Sequence, residues 1–305
     1  MEQKEILNMQ NILFAFTIII GILLFVYSSS LKPNIIKDKI RYNIIVLLDL
    51  SDRVKDNRQV IKDKSIVSEI VSIFEDKIKQ KGFIHSKNDR LKISIAPGSD
   101  NLNYPYSKLV IDMGKSPTLD NLNHKKRDLI DGLGRVYKIA EEISGDSETD
   151  IWNYFRLSLK HDIVSNSETN IRNILVIITD GLIDFDGRYQ MQEEKGKREY
   201  FGVNNIGNKT SYMQLEKFIK IGDQWENIFE RDGHGLIVFD DMKFSNLEIL
   251  VLEMKERYEH DKIGIEVVKK YWYQWATEMN ISKPVLTYGS KTIPVEAIHN
   301  FFNDK

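Results

Sequence analysis

Two short, almost wholly apolar runs constrain the fold of this chain more than any other feature. The first is NIIVLL at residues 43–48, and the second is NILVII at residues 173–178. Runs of this length without alternating polar residues are typical of strands buried on both faces, as in a parallel sheet covered by helices. Each run ends in polar residues: Asp49 follows the first, and Thr179 and Asp180 follow the second.

Other strand-like and helix-like segments alternate along residues 41–305. Helical spacing of apolar residues occurs in segments 63–82, 127–144, 150–164 and 263–280, and strand-like segments occur at 90–98, 108–114 and 246–255. RLKISIAPG, at 90–98, alternates as a half-buried strand would. This order predicts an α/β fold with a doubly wound, mostly parallel sheet and helices on both faces. The polar, glycine-rich stretch at about 184–233 is long for a connection and is predicted to be an insert.

The amino terminus carries a second strong signal, since no charged residue occurs between positions 6 and 31. About 20 uncharged, mostly apolar residues suffice to cross a bilayer as a helix. We predict a tail at 1–10, a transmembrane helix at 11–30 and a linker at 31–40. A cleaved signal peptide is the alternative, but the leading MEQKE is not basic and no Ala-x-Ala site follows.

The charges around the predicted transmembrane helix indicate its orientation. Lys32, Lys37, Lys39 and Arg41 follow the helix, whereas Lys4 alone precedes it. Because positive residues tend to stay in the cytoplasm, the chain is predicted to be a single-pass membrane protein with its large domain cytoplasmic.

Composition excludes several classes of site. A net charge of −2 and a pI near 6.3 give no general attraction to nucleic acid. There is no cysteine, and the six histidines lack the spacing of a zinc site. No nucleotide-binding glycine loop or serine-nucleophile motif is present. The aromatic segment YWYQW at 271–275 would spread around a helix, so we predict that it packs in the core.

Polar residues at the predicted strand ends resemble the von Willebrand factor type A family. In that family, Asp-x-Ser-x-Ser, a threonine and a later aspartate form a metal-ion-dependent adhesion site. Asp49 and Ser51 match the first two residues, Thr149 in SETD matches the threonine, and Asp180 in TDG matches the later aspartate. The resemblance implies a protein-binding module without catalysis, holding Mg²⁺ or Mn²⁺ through hard oxygen ligands. An acidic side chain of a protein partner would fill the free position.

One residue departs from that pattern, because Arg53 stands where the family has its second serine. A guanidinium is always charged and would occupy or repel the cation. A membrane-tethered scaffold that binds partners without metal is therefore the first alternative. Serine, threonine and aspartate after a strand are also common helix caps and turns, a role that Ser51, Asp56 or Thr149 could fill alone.

A phosphatase is the second alternative. A strand ending in Asp49, a strand ending in Thr179, and Asp240 and Asp241 in LIVFDD resemble haloacid dehalogenase phosphatases. Those enzymes use an aspartate nucleophile and Mg²⁺. That family needs Asp-x-Asp first, and Ser51 stands in the position of its general acid. The sequence therefore favours a binding module over an enzyme.

Overall fold

The computed structural model describes residues 40–50, 52–96, 109–143, 151–164, 170–183, 192–194, 197–199, 206–256, 262–282, 284–290 and 292–303. The chain divides into two compact units, Met1–Lys39 and Ile40–Lys305. The predicted tail, the transmembrane helix and nearly all of the linker belong to the first unit and lie outside the described residues. Within the described ranges, no helix is both long and apolar enough to cross a bilayer.

A central sheet of six strands organises the described part of the second unit. Its strands are β1 (Arg41–Asp49), β2 (Arg90–Ala96), β3 (Val110–Asp112), β4 (Ile171–Ile178), β9 (Leu247–Met254) and β10 (Val285–Tyr288). Their lateral order is β3-β2-β1-β4-β9-β10, and only β3 runs antiparallel to its neighbour. Two small sheets pair β5 (Gln192–Glu194) with β6 (Lys197–Glu199), and β7 (Lys209–Thr210) with β8 (Gly235–Leu236).

Helices cover both faces of the central sheet. They are α1 (Asn57–Lys81), α2 (Leu119–Ile143), α4 (Leu215–Ile221), α5 (Trp225–Arg231), α6 (Lys262–Glu278) and α7 (Val295–Asn303). Between α2 and α4 lies α3, a continuous helical segment of Ile151–Asn153, the π-helical Tyr154–Ser158 and Leu159–Asp162. The 3₁₀ turns are Asp52–Lys55, Phe83–Ser86 and Gly222–Gln224.

The side chains of β1 show why both faces are covered. Ile44, Val46 and Leu48 join the apolar core formed with α1, α2 and α7. Ile45 and Leu47 point the opposite way, into the core formed with α3, α4, α5 and α6. Successive residues of a strand face opposite sides, so a strand with two covered faces needs an unbroken apolar run. The predicted mixed α/β architecture with a mostly parallel sheet is confirmed.

Local signals set the ends of α1. The Asp56 carboxylate accepts a hydrogen bond from the Arg58 backbone N–H at 2.9 Å and so caps the helix. Gly82 ends it with φ of +81°, a conformation that costs glycine little, and its N–H donates to the Ile78 carbonyl. The helix begins six residues before the predicted segment, because its first turns carry polar residues that the apolar pattern did not reveal.

Two segments differ from their sequence interpretation. In β2, the predicted polar face is covered in part: Ser94 is only 6% exposed, and Arg90 and Lys92 are partly buried. The Asp162 carboxylate of α3 lies against that face, pairing with the Lys92 ammonium at 2.5 Å. In GLIVFDD, only Gly235–Leu236 forms a strand, which pairs with β7 outside the central sheet. The YWYQW segment does pack in the core, since Tyr271, Trp272 and Trp275 are at most 1% exposed.

Candidate functional site

The lateral order of the strands places a crevice at the carboxyl ends of β1 and β4. From β1 the chain builds outward through β2, and from β4 it builds outward in the opposite direction through β9. Open α/β sheets bind ligands at this point, where the strand order reverses. Asp49 is the last residue of β1, and Asp180 lies two residues past β4. The structure therefore brings these two residues to one edge, whereas Ser51 and Thr149 lie outside the described residues.

Asp49 is held by the loop that follows the neighbouring strand. It is 1% exposed, and the Thr179 hydroxyl donates to its Oδ2 at 2.8 Å. The same hydroxyl oxygen accepts the Gly181 backbone N–H at 3.1 Å. Thr179 therefore fixes the direction of the Asp49 carboxylate.

Asp180 lies beside Asp49 and is partly buried. Its Oδ1 accepts the Leu182 backbone N–H at 2.9 Å, and its carbonyl accepts the Lys255 N–H at 2.8 Å. Burial and the negative charge of Asp49 together raise the pKa of Asp180 to about 6, although Arg53 and Lys255 oppose the rise. The two carboxylates are thus close enough to repel one another.

Glycine is required in the loop that carries Asp180. Gly181 has φ of +90°, and a Cβ there would lie 2.9 Å from Cγ of Met254. The Trp272 indole N–H donates to the Gly181 carbonyl at 2.8 Å. Close packing on Met254 and Trp272 therefore fixes where Asp180 lies relative to β9 and α6.

Arg53 supplies a positive charge at this edge. Its side chain is 5% exposed, and its Nη2 donates to Oδ1 of Asp63 at 2.7 Å. Burial alone would lower the pKa of Arg53, but the negative charges of Asp63 and Asp49 outweigh it and raise that pKa. Among the described residues, its Nε and Nη1 have no hydrogen-bond acceptor. The residue at the second-serine position is therefore a buried, permanently charged guanidinium.

Asp63 joins Arg53 to a wider hydrogen-bond network. The Gln59 amide donates to Oδ1 of Asp63 at 2.7 Å, and the Tyr137 hydroxyl donates to Oδ2 at 3.2 Å. Burial and the Asp63 charge raise the pKa of Tyr137 well above its ordinary value, so this hydroxyl stays a donor. The Lys255 ammonium in turn donates to the Gln59 side-chain Oε1 at 2.7 Å. The network links the first turns of α1 to α2 and to the residue after β9.

A second buried ion pair lies where β9 meets α1. Glu253 is fully buried, and its carboxylate pairs with the Lys62 ammonium, whose side chain is 11% exposed. Glu253 has φ of +76°, a conformation that is strained for a residue with a Cβ. Lys62 also donates to the Ser290 carbonyl after β10. Charged contacts from α1 therefore reach the ends of β9 and β10 as well as the crevice.

A divalent cation such as Mg²⁺ needs several oxygen ligands around one point. No group of three or more histidine, aspartate or glutamate side chains is placed to hold a metal within the described ranges. Asp49 and Asp180 each already accept a hydrogen bond, and the charge of Arg53 acts on both. Arg53 therefore adds a fixed positive charge beside these two carboxylates, and the other two predicted ligands, Ser51 and Thr149, lie outside the described residues. A metal role for Asp49, Ser51, Thr149 and Asp180 remains a prediction.

Sequence reasoning missed several residues at this edge, namely Gln59, Asp63, Tyr137, Glu253 and Lys255. A signal was available for two of them. Gln59 and Asp63 continue the buried face of α1 that includes Ile66 and Ile70, at spacings of three and four residues. A carboxylate on a buried helix face needs a partner, so that spacing would have predicted one for Asp63.

Comparison with known proteins gives only distant structural similarities. No family model matches the chain, and no curated protein matches it. The pilus adhesin SpaC from Lactobacillus rhamnosus GG, in an open conformation, is 12% identical with a TM-score of 0.36, over 87% of this chain and 29% of the adhesin. The conserved hypothetical protein BatB from Bacteroides thetaiotaomicron is 12% identical with a TM-score of 0.33, over 86% of this chain and 98% of BatB. TM-scores this low do not establish a common fold.

Proposed function

We propose that this chain is a single-pass membrane protein whose α/β domain binds a protein partner at the carboxyl ends of β1 and β4. In this proposal it is a module of the von Willebrand factor type A kind in which Arg53 takes the place of the metal ion. One observation carries the proposal. The residue at the second-serine position is a buried guanidinium that pairs with Asp63 and interacts electrostatically with Asp49.

The charges at the edge support a fixed cation. Asp49, Asp63 and Asp180 bring three carboxylates to one region, and burial makes their mutual repulsion costly. Arg53 and Lys255 offset part of that repulsion, as their opposing effects on the pKa of Asp180 indicate. In this arrangement the positive charge is part of the fold and does not depend on the metal concentration.

The free hydrogen-bonding capacity of Arg53 supports an acidic partner. Its Nε and Nη1 have no acceptor among the described residues. An N–H of a guanidinium donates a charge-assisted hydrogen bond to a carboxylate, which is stronger than a hydrogen bond between neutral groups. Both Arg53 atoms are buried, so binding of a partner's aspartate or glutamate side chain requires the residues that cover Arg53 to move aside.

The divalent-cation version of the module needs more than the described residues supply. Ser51 and Thr149 would have to join Asp49 and Asp180 around one Mg²⁺ or Mn²⁺ ion. The phosphatase alternative has less support. Its acidic pair, Asp240 and Asp241, does not follow a strand of the central sheet, and the Asp241 carboxylate pairs with exposed Lys160 at 3.4 Å. We propose no catalytic activity.

The response of thermal stability to metal tests the role of Arg53. Millimolar Mg²⁺ or Mn²⁺ is expected to leave the melting temperature of the wild-type chain unchanged. The double variant Arg53→Ser with Asp63→Asn should gain a response, because it removes the fixed charge, restores the family's hydroxyl and does not leave the Asp63 carboxylate without its partner. At a hundredfold excess over the dissociation constant, binding would add about 2.7 kcal/mol to the free energy of unfolding.

Arg53→Met with Asp63→Asn is the matched control, since it removes the same charges without adding a hydroxyl. It should show no metal response. A rise for the wild-type chain would support the divalent-cation version instead. If Arg53→Ser with Asp63→Asn also ignores both metals, then Asp49, Ser51, Thr149 and Asp180 do not form a cation site.

Membrane attachment is tested by deletion. Removing residues 1–39 is expected to move the protein from the membrane fraction to the soluble fraction, because the uncharged run at positions 6–31 is lost. The melting temperature of the remaining chain should stay close to that of the full chain in detergent. Recovery of the full chain in the soluble fraction after gentle lysis would contradict the anchor.

A further inference from the structure

We infer that the turn after α1 contacts the anionic lipid surface of the membrane that holds the chain. The turn comprises residues 82–88 and includes the 3₁₀ segment Phe83–Ser86; it is called the basal turn below. This inference rests on the proposed membrane anchor. It concerns the end of the domain opposite the crevice, because the basal turn leads into the amino end of β2.

Two hydrogen bonds fix the basal turn beside the start of β1. The Arg41 Nε donates to the Asn88 carbonyl at 2.8 Å, and the Lys81 ammonium donates to the Ile40 carbonyl at 2.8 Å. Residues 32–39 connect this point to the uncharged run. Eight residues reach at most about 29 Å when fully extended. If the anchor spans the membrane, the basal turn stays within about that distance of the lipid surface.

The basal turn presents an apolar side chain on a rigid support. Ile84 is 76% exposed, more than any other large apolar side chain among the described residues. Its neighbour Phe83 packs against the core formed with α1 and α2. The Gly82 carbonyl accepts the His85 backbone N–H at 3.1 Å and the Ser86 hydroxyl at 3.0 Å. A single exposed isoleucine is ordinary by itself, so its surroundings decide what it contacts.

Those surroundings are basic. Exposed or partly exposed cations lie around the basal turn, namely Arg41, Lys87 and Lys115. Lys79 is not counted with them, because its ammonium pairs with the Glu75 carboxylate at 2.5 Å. Lys115 is brought there by a 2.9 Å hydrogen bond from the Asn88 N–H to the Gly114 carbonyl. Of the nearby carboxylates, Asp89 is fully buried against Lys81, whereas Asp112 is exposed. Exposed cations therefore outnumber exposed carboxylates at this end.

An isoleucine ringed by cations matches an anionic bilayer. Lysine and arginine near a membrane are attracted to acidic lipid headgroups. An apolar side chain among them can enter the boundary between headgroups and acyl chains. One apolar side chain is little for a protein interface, which usually needs a larger apolar core.

The absence of cysteine from the chain allows a direct test. The full chain carrying Ile84→Cys is labelled with a fluorophore that emits at shorter wavelength in apolar surroundings. It is inserted into nanodiscs of phosphatidylcholine, with or without phosphatidylserine. We expect a shift to shorter wavelength in the phosphatidylserine discs, and loss of that shift in high salt or with Lys87→Glu.

The matched control, Ile61, lies near the other end of α1 (Asn57–Lys81), about 30 Å along the helix axis from its last residue. Ile61 is 65% exposed and the Arg58 side chain is 93% exposed. A probe at Ile61→Cys should not shift, and Arg58→Glu should not alter the signal from position 84.

The experiment separates the basal turn from the anchor. If the chain enters the discs but the probe at position 84 emits alike in both lipid mixtures, the inference is wrong and the anchor stands. Equal shifts at positions 84 and 61 would also overturn it, because the contact would not belong to the basal turn. Failure of the chain to enter the discs at all would overturn the anchor together with the inference.

Discussion

Arg53→Met is expected to lower the free energy of unfolding by about 3–5 kcal/mol, because it leaves the Asp63 carboxylate buried without its cation. For domains of this size, each kcal/mol shifts the melting temperature by about 2–4 °C, so the loss should be roughly 10 °C. Denaturant unfolding of the full chain in detergent, together with a thermal scan, measures both quantities. The same variant should lose binding to an acidic partner.

A double-mutant cycle shows whether the effect belongs to the pair. Asp63→Asn alone should also destabilise the fold, since it leaves Arg53 buried with its Nη2 facing a neutral group. The double variant should be more stable than the sum of the two single losses predicts. Arg58→Met removes an exposed arginine from the same region and should change stability by less than about 1 kcal/mol. A loss of that small size for Arg53→Met would mean that the pair contributes little.

Asp180→Asn is expected to stabilise the protein at neutral pH and to remove part of its pH dependence. In the unfolded chain, Asp180 has a pKa near 3.8, whereas in the fold it has a pKa of about 6. The folded state therefore holds the proton more tightly. Well below pH 3.8 the carboxyl is protonated in both states and does not affect stability. As pH rises from about 4 to about 6, the folded state must ionise a disfavoured group, so its stability falls.

The size of this effect follows from the pKa difference. About two pH units correspond to about 3 kcal/mol, and partial exposure of the side chain reduces the expected gain at pH 7 to about 1–3 kcal/mol. Asparagine keeps an oxygen that can accept the Leu182 N–H. Urea unfolding at about pH 4 and at about pH 7 would measure the difference in the free energy of unfolding between wild type and variant. An equal difference at both pH values would contradict the raised pKa.

Asp241→Asn serves as the control for that measurement. It removes a carboxylate whose side chain is 54% exposed and which pairs only across a solvent-accessible contact with Lys160. Its effect is expected to stay below about 1 kcal/mol at either pH. Comparison of the two variants separates the environment of Asp180 from the general loss of a negative charge.

The two sets of contacts at the crevice have different roles in the proposed module. The Thr179 hydroxyl holds Asp49, and the Leu182 backbone N–H holds Asp180, each through a direct hydrogen bond. Contacts from α1 through Asp63 and Lys62 instead join the crevice to α2, β9 and β10. A partner that binds Arg53 would therefore act on a residue coupled to the position of α1.

Local sequence patterns were enough to predict the type of the strands β1, β2, β3, β4 and β9 and of the helices α1, α2, α3 and α6. Residues 44–48 and 174–178 are apolar at every position, because both faces of β1 and β4 are covered by helices. The same runs located Asp49 and Asp180 at strand ends. YWYQW was correctly predicted to pack in the core, since three of its aromatic side chains are on the buried face of α6.

Contacts between distant residues were decided only by the tertiary structure. The order of strands depends on which edges pair, and a strand's own residues do not specify its neighbour; the antiparallel β3 is an example. Thr179 meets Asp49 across 130 positions, and Tyr137 meets Asp63 across 74. Threonine and aspartate occur in ordinary turns throughout proteins, so their pairing carries no local signal. Arg53 could be seen at the second-serine position from the sequence alone, but its burial against Asp63 required α1 to fold over the edge of the sheet.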